Sequence, residues 1–134
     1  MPVEKIKLDK GKTKILIVDD EKAFTELLTS ALELHEGYEV RVENNPRFAI
    51  HAARKFLPDI IVLDVVMPEV DGGEVHTQIK ADAVLKQIPI IFLTSMVQQN
   101  EVDARQGVIG GSYYVAKPVS ANKLISVIAE RIRR

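Results

Sequence analysis

Cysteine is absent from these 134 residues, which excludes a disulfide framework and thiol chemistry and favours a reducing compartment. An excess of one charge is absent too. Lysine and arginine number 18 against 19 acidic residues, a formal net charge of -1, so nothing forms a broad footprint for nucleic acid or an anionic membrane. No apolar run reaches transmembrane length, and the opening MPVEKIKLDKGKTK lacks the apolar centre of a signal peptide. No internal repeat or low-complexity linker divides the chain. These absences leave one cytoplasmic domain, long enough to bury a core without staples, in which recognition is carried by local groups. Residues 1 to 12 are expected to be a solvated, flexible leader, and residues 13 to 134 the domain.

What is present is a series of short apolar runs that end on polar chemistry. Ile15 to Val18 run into Asp19, Asp20 and Glu21. Ile60 to Leu63 run into Asp64, a charge that a sheet interior would not accept unpaired, so Asp64 belongs at a strand's carboxyl end. Met67, Pro68, Asp71, Gly72 and Gly73 then supply turn chemistry. Ile88 to Leu93 finish on Thr94 and Ser95, and Tyr113 to Ala116 finish on Lys117 and Pro118. Tyr38 to Val42 alternates apolar with polar residues, the pattern of a strand with one wet face or at an edge.

Helical spacing fills the intervals. Phe24, Leu27, Leu28, Ala31 and Leu32 form an apolar stripe that Gly37 is placed to stop. Asn45 and Pro46 open a second helix carrying Ala49, Ala52, Ala53 and Phe56, and Pro58 ends it. Val75 and Ile79 mark a third, short one. Gln98 to Gly107 is a weakly periodic fourth, and Ser120 caps a fifth with Leu124, Val127, Ile128 and Ile132 inward.

Five strands alternating with five helices predict an α/β fold, a doubly wound five-stranded parallel sheet with helices on both faces. The three fully apolar strands belong inside, and the alternating second and short fifth at the edges, which gives the order 2-1-3-4-5. Such sheets bind ligands at the carboxyl ends of the strands flanking the point where the chain reverses direction. Those two ends carry Asp19, Asp20 and Asp64.

Three carboxylates in one crevice repel by about 4 kcal/mol per pair at ~4 Å and an effective dielectric of ~20, so a cation is expected among them. Oxygen ligands without His or Cys favour a hard divalent ion, and open water positions favour magnesium over calcium. Thr94 adds a hydroxyl and Lys117 an ammonium to the same rim. Metal, lysine and hydroxyl can hold the oxygens of a phosphoryl group while a carboxylate attacks phosphorus.

In type and order these groups resemble the receiver domain of two-component response regulators: Asp19 and Asp20, Asp64 with Met67 and Pro68, Thr94 with Ser95, Lys117 with Pro118. The resemblance covers roughly residues 13 to 134 and implies the flavodoxin-like receiver fold. It makes Asp64 the phospho-accepting nucleophile. Asp20 and Asp64 would bind Mg2+ directly, Asp19 through water, and the Val66 backbone carbonyl would be a further ligand. Thr94 and Lys117 would contact the phosphoryl oxygens, and the peptide bond between Lys117 and Pro118 would be cis. The donor would be a sensor histidine kinase, a phosphotransfer protein or a small acyl phosphate. The domain would catalyse its own phosphorylation and dephosphorylation without being an enzyme of external turnover. Thr94 would move toward the phosphoryl group and Tyr114, three residues before Lys117, would rotate inward. The face of the fourth helix, fifth strand and fifth helix would then change, controlling a downstream target or output domain or supporting a homodimer. Position 113, acidic in many relatives, is tyrosine here. Apolar Val66 and Met96 would shield the acyl phosphate from water.

Simpler roles compete for each group alone. Asp19 and Asp20 could cap a helix, Thr94 likewise, Lys117 could be a solvated strand end, and Arg131, Arg133 and Arg134 could compensate a helix dipole. His35, His51 and His76 lack ligand spacing and read as surface residues. Three other functions weigh less. A phosphohydrolase resembling the haloacid dehalogenases would want a second acid two residues after the first, where only Glu21 stands, and a substrate cap. A flavodoxin-like cofactor binder would want a phosphate loop where DDEKAF has the wrong sign. A degenerate receiver would lack part of the acceptor set.

Overall fold

The structure, a computed structural model, describes residues 11–65, 72–94, 108–109, 112–117 and 119–132. The chain runs β1 (Thr13–Val18), α1 (Lys22–Glu33), β2 (Tyr38–Glu43), a 3-10 turn (Pro46–Phe48), α2 (Ala49–Phe56), β3 (Ile60–Asp64), α3 (Gly72–Ala81), β4 (Ile90–Thr94), β5 (Val108–Ile109), β6 (Ser112–Ala116) and α4 (Ala121–Ile132). The sheet order is β2-β1-β3-β4-β6-β5. All pairs are parallel except β5 with β6, so the five parallel strands alone stand in the order 2-1-3-4-5. Their uninterrupted apolar runs explain this: β3 and β4 are buried along their whole lengths, which only a strand covered on both faces can be.

Successive side chains point to opposite faces and divide the core in two. Ile15, Ile17, Val62 and Leu93 meet Leu28 and Leu32 of α1 and Leu124 and Ile128 of α4 on one face. Leu16, Val18, Ile61 and Leu63 meet Ala53 and Phe56 of α2 and Val75 and Ile79 of α3 on the other.

The described residues hold four α-helices, and the expected weakly periodic helix over Gln98–Gly107 lies outside the described residues. Other expectations are corrected. The last parallel strand is not the outermost: Val108 and Ile109 pair with it antiparallel, opposite Tyr113 and Ser112. Leu27 is 75% exposed, because the face that α1 buries carries Thr25, Leu28 and Leu32. Gly37 does not stop α1, which closes at Leu34: the Leu34 N–H donates to the Ala31 carbonyl and the His35 N–H to the Leu32 carbonyl. The Asn45 side chain accepts from the Arg47 N–H as expected, but it opens a 3-10 turn before the α-helix begins. Leu57 ends α2 in the left-handed region at φ 52, its N–H donating to the Ala53 carbonyl, immediately before Pro58.

The return from α3 to β4 is tied down by Asp82. Its Oδ1 accepts from the N–H groups of Val84 and Leu85 at 2.8 and 3.0 Å, and its Oδ2 from Arg54 Nε at 2.8 Å. The Arg54 hydrogen bond, then the two backbone donors, hold this carboxyl below its ordinary range. A depressed carboxyl contributes stability above its unfolded pKa and loses it as pH falls through the folded value. The stability difference between wild type and Asp82→Asn is therefore expected at neutral pH and should close below about pH 4. Denaturant melts across that range check it, and a gap that stays constant into acid contradicts it.

Candidate functional site

The crevice forms where β1 and β3, adjacent and parallel, end together. Pairing of Val18 with Leu63 brings Asp64 beside the chain leaving β1 at Asp19. One carboxylate oxygen each from Asp19, Asp20 and Asp64 lies within 4.8 Å of the others; Asp19 and Asp64 are buried and Asp20 is exposed. At such separations each charged pair repels by roughly 3–4 kcal/mol in a medium of effective dielectric ~20. The set is all oxygen, hard, and open to water on the Asp20 side, which fits a divalent cation of the magnesium class.

The end of β6 supplies the ammonium. Lys117 Nζ donates to Asp19 Oδ2 at 3.0 Å and to Glu21 Oε1 at 3.2 Å, stands 3.8 Å from Asp64 Oδ2, and lies 4.5 Å from the centroid of the Phe24 ring. Its pKa is raised: burial opposes the charge most strongly, but the Asp19 hydrogen bond, the charges of Asp19 and Asp64 and the Glu21 hydrogen bond together outweigh it. The Lys117 backbone N–H donates to the Thr94 carbonyl at 2.8 Å, which fixes the two strand ends side by side. Thr94 is buried, one residue beyond the Leu93 that pairs with Asp64. The fold thus brings Asp19, Asp20, Asp64 and Lys117 together and seats Thr94 on the neighbouring strand tip.

Tyr114 lies farther along β6, opposite Phe92, with the rings stacked at 5.0 Å. Tyr113 faces the other way, donating from its hydroxyl to Glu130 Oε1 at 3.3 Å beneath the Arg131 guanidinium. His76, read as a surface residue, is half-buried against Phe92 at 5.2 Å, and burial followed by the Lys80 charge lowers its pKa. Met67, Pro68, Ser95, Met96, Arg133 and Arg134, the Val66 carbonyl and the bond into Pro118 lie outside the described residues.

Two supporting groups escaped the sequence. Asn44, just past β2, donates from Nδ2 to the Asp19 carbonyl at 2.7 Å and to Thr25 Oγ1 at 3.0 Å, bracing the acidic loop from the adjacent strand. Glu21 was considered only as a rival enzyme's second acid, yet it shares the lysine. Position in the run Asp19, Asp20, Glu21 was the available signal for Glu21; Asn44 had none beyond following a strand.

Comparison with known proteins agrees in extent and topology. Residues 15–129 match the family described as Response regulator receiver domain. The transcriptional regulatory protein TrcR of Mycobacterium tuberculosis is 34% identical over 127 residues, covering 94% of this chain and 48% of that protein. The chain spans about half the length of the curated relatives it matches. A response regulator from Desulfuromonas acetoxidans superposes with a TM-score of 0.75 at 26% identity, covering 90% of this chain and 97% of that one. The signal receiver domain of a signal transduction histidine kinase from Syntrophus aciditrophicus gives 0.71 at 32% identity, covering 90% and 89%.

Proposed function

The chain belongs to the response regulator receiver family, and from that premise we propose that it takes a phosphoryl group onto Asp64 with the help of Mg2+. The observation that carries this is the meeting of the Asp19, Asp20 and Asp64 carboxylates within 4.8 Å, with the Lys117 ammonium among them, at the ends of β1 and β3. An Asp64 carboxylate oxygen forms the new P–O bond as the P–N bond of a partner's phosphohistidine breaks, the imidazole nitrogen leaving with the electron pair. Lys117 and the Thr94 hydroxyl meet the phosphoryl oxygens as charge moves onto them. Asp20 and Asp64 would hold the ion directly and Asp19 through water, with the Val66 carbonyl as a further ligand. The ion would supply charge neutralisation between the phosphoryl oxygens and the carboxylates. Loss of the phosphoryl group reverses the roles: water attacks phosphorus, and the Asp64 carboxylate leaves.

The phosphoryl group replaces one charge by about two and adds strong acceptors, so Thr94 is drawn toward it. Tyr114 follows into the space behind Thr94 and alters the surface of β6 and α4, through which a partner, an output domain or a second copy is controlled. Inverting such an equilibrium from 1:99 to 99:1 takes about 5.5 kcal/mol, within reach of a few charge-assisted bonds made in one state only. The donor is a sensor histidine kinase or phosphotransfer protein. The setting is the cytoplasm, in keeping with a chain free of cysteine. Among the described residues no helix is long and apolar enough to cross a membrane. The kinship of TrcR, a transcriptional regulatory protein about twice the matched length, supports a regulatory output and not metabolic turnover.

Intact mass spectrometry after incubation with acetyl phosphate tests this directly. The expected result is a gain of one phosphoryl group with Mg2+ and none with a chelator. No gain in either condition would overturn it, and steady consumption of acetyl phosphate without an adduct would favour a phosphohydrolase.

A further inference from the structure

Lys117 is held asymmetrically. Its Nζ is closer to Asp19 Oδ2 and Glu21 Oε1, at 3.0 and 3.2 Å, than to Asp64 Oδ2, at 3.8 Å, and the Phe24 ring lies 4.5 Å away. Asp19, Glu21 and Phe24 all come from the junction of β1 with α1. The Glu21 N–H donates to Asp19 Oδ1 at 3.0 Å, so the two carboxylates that hold the ammonium are tied to each other. An ammonium has three donors; Asp19 and Glu21 take one each, and the face of Phe24 favours keeping the charge on that side.

We propose that Glu21 is a positioning residue that, with Phe24, draws Lys117 toward the first helix and away from the acceptor oxygen, so that a phosphoryl group on Asp64 must win the lysine from Glu21. The inference rests on Asp64 being the acceptor. Asp19 is buried and its hold on Lys117 is part of the unmodified site, whereas the Glu21 side chain is 62% exposed, and water can replace the lysine there at little cost. The Glu21 contact is therefore the one that yields when a stronger anion arrives. Its strength sets how readily the lysine engages the modified state, and any displacement of the start of α1, which carries both Glu21 and Phe24, changes that strength.

The test uses Glu21→Gln, which removes the charge, and Glu21→Asp, which keeps the charge but shortens the arm by one methylene. Exposure of Glu21 makes both compatible with folding. Nitrogen-detected NMR of the Lys117 ammonium, without any phosphodonor, reads the contact alone; its protons should exchange with water faster in both variants. Titration with beryllium fluoride and Mg2+ then reads competition, and both variants should bind the fluoride about three- to fivefold more tightly than wild type, the scale of a part-exposed ion pair. Unchanged ammonium exchange would overturn the hold. Tighter binding in Glu21→Gln but not in Glu21→Asp would assign the effect to the general field of the charge and overturn the contact. A wild type that binds no fluoride, with the exchange difference intact, would refute Asp64 as acceptor and with it the competition, while the contact itself would stand.

Discussion

Asp64→Asn is expected to abolish phosphoryl uptake, not merely slow it. The amide has nearly the shape of the carboxylate and can occupy the same place at the end of β3, but its oxygen is a poor nucleophile and carries no charge to hold a divalent ion. Uptake from acetyl phosphate, followed by intact mass in the presence of Mg2+, should fall from one group per chain to none. Affinity for Mg2+ should fall as well, because one of two buried anions in the set is gone. Stability should move the other way. In chelator the wild type carries the repulsion of Asp64 with Asp19 and Asp20, about 3–4 kcal/mol per pair at this spacing before Lys117 offsets it. The variant should be no less stable than wild type there, which separates loss of chemistry from loss of fold. Phosphoryl uptake by the variant at a wild-type rate would move the acceptor elsewhere. Lost uptake together with a collapsed melt in chelator would show Asp64 holding the fold together.

The parallel sheet was legible because burial on both faces leaves no room for polar residues: β1, β3 and β4 announce themselves as apolar runs, and the same constraint puts them inside. β2 declared its edge by alternation. β5 was not recognised, although Val108 and Ile109 followed by Gly110 and Gly111 is a hairpin pattern, because two apolar residues are too short a run to stand out as a strand. Leu27 was misassigned because an apolar residue at the margin of a helical stripe can face either way, and only the neighbouring helix decides. In the crevice, strand ends gave away which groups would be near one another: Lys117 and Asp19 meet across 98 positions of sequence because β6 and β1 point the same way. Which carboxylate the lysine prefers was not legible. That depends on side-chain reach of a few tenths of an ångström, and on Asn44 and Glu21 at positions where sequence offers only polarity.

Lys117→Met should have the second large effect, and it should depend on metal. Without Lys117 the buried Asp19 and Asp64 lose the cation at 3.0 and 3.8 Å, and breaking a buried pair from one side costs about 3–5 kcal/mol; solvent on the Asp20 side argues for the lower end. Chemical denaturation in chelator should therefore show a loss of about 3 kcal/mol. Mg2+ can stand in for part of the missing charge, and a ligand at 100 times its dissociation constant adds about 2.7 kcal/mol to the folded state. The deficit against metal-bound wild type should shrink accordingly, because the variant's site has no resident ammonium opposing the ion. Alkali gives an independent check. The Lys117 pKa is raised above its ordinary 10.5, so its contribution is fully present below that value and is lost as pH rises through the folded one. The gap between wild type and variant should then be constant at neutral pH and narrow only above about pH 10.5. If Lys117→Met were as stable as wild type in chelator, the two acids would have to be neutral or otherwise compensated, and the lysine would serve the phosphoryl group alone.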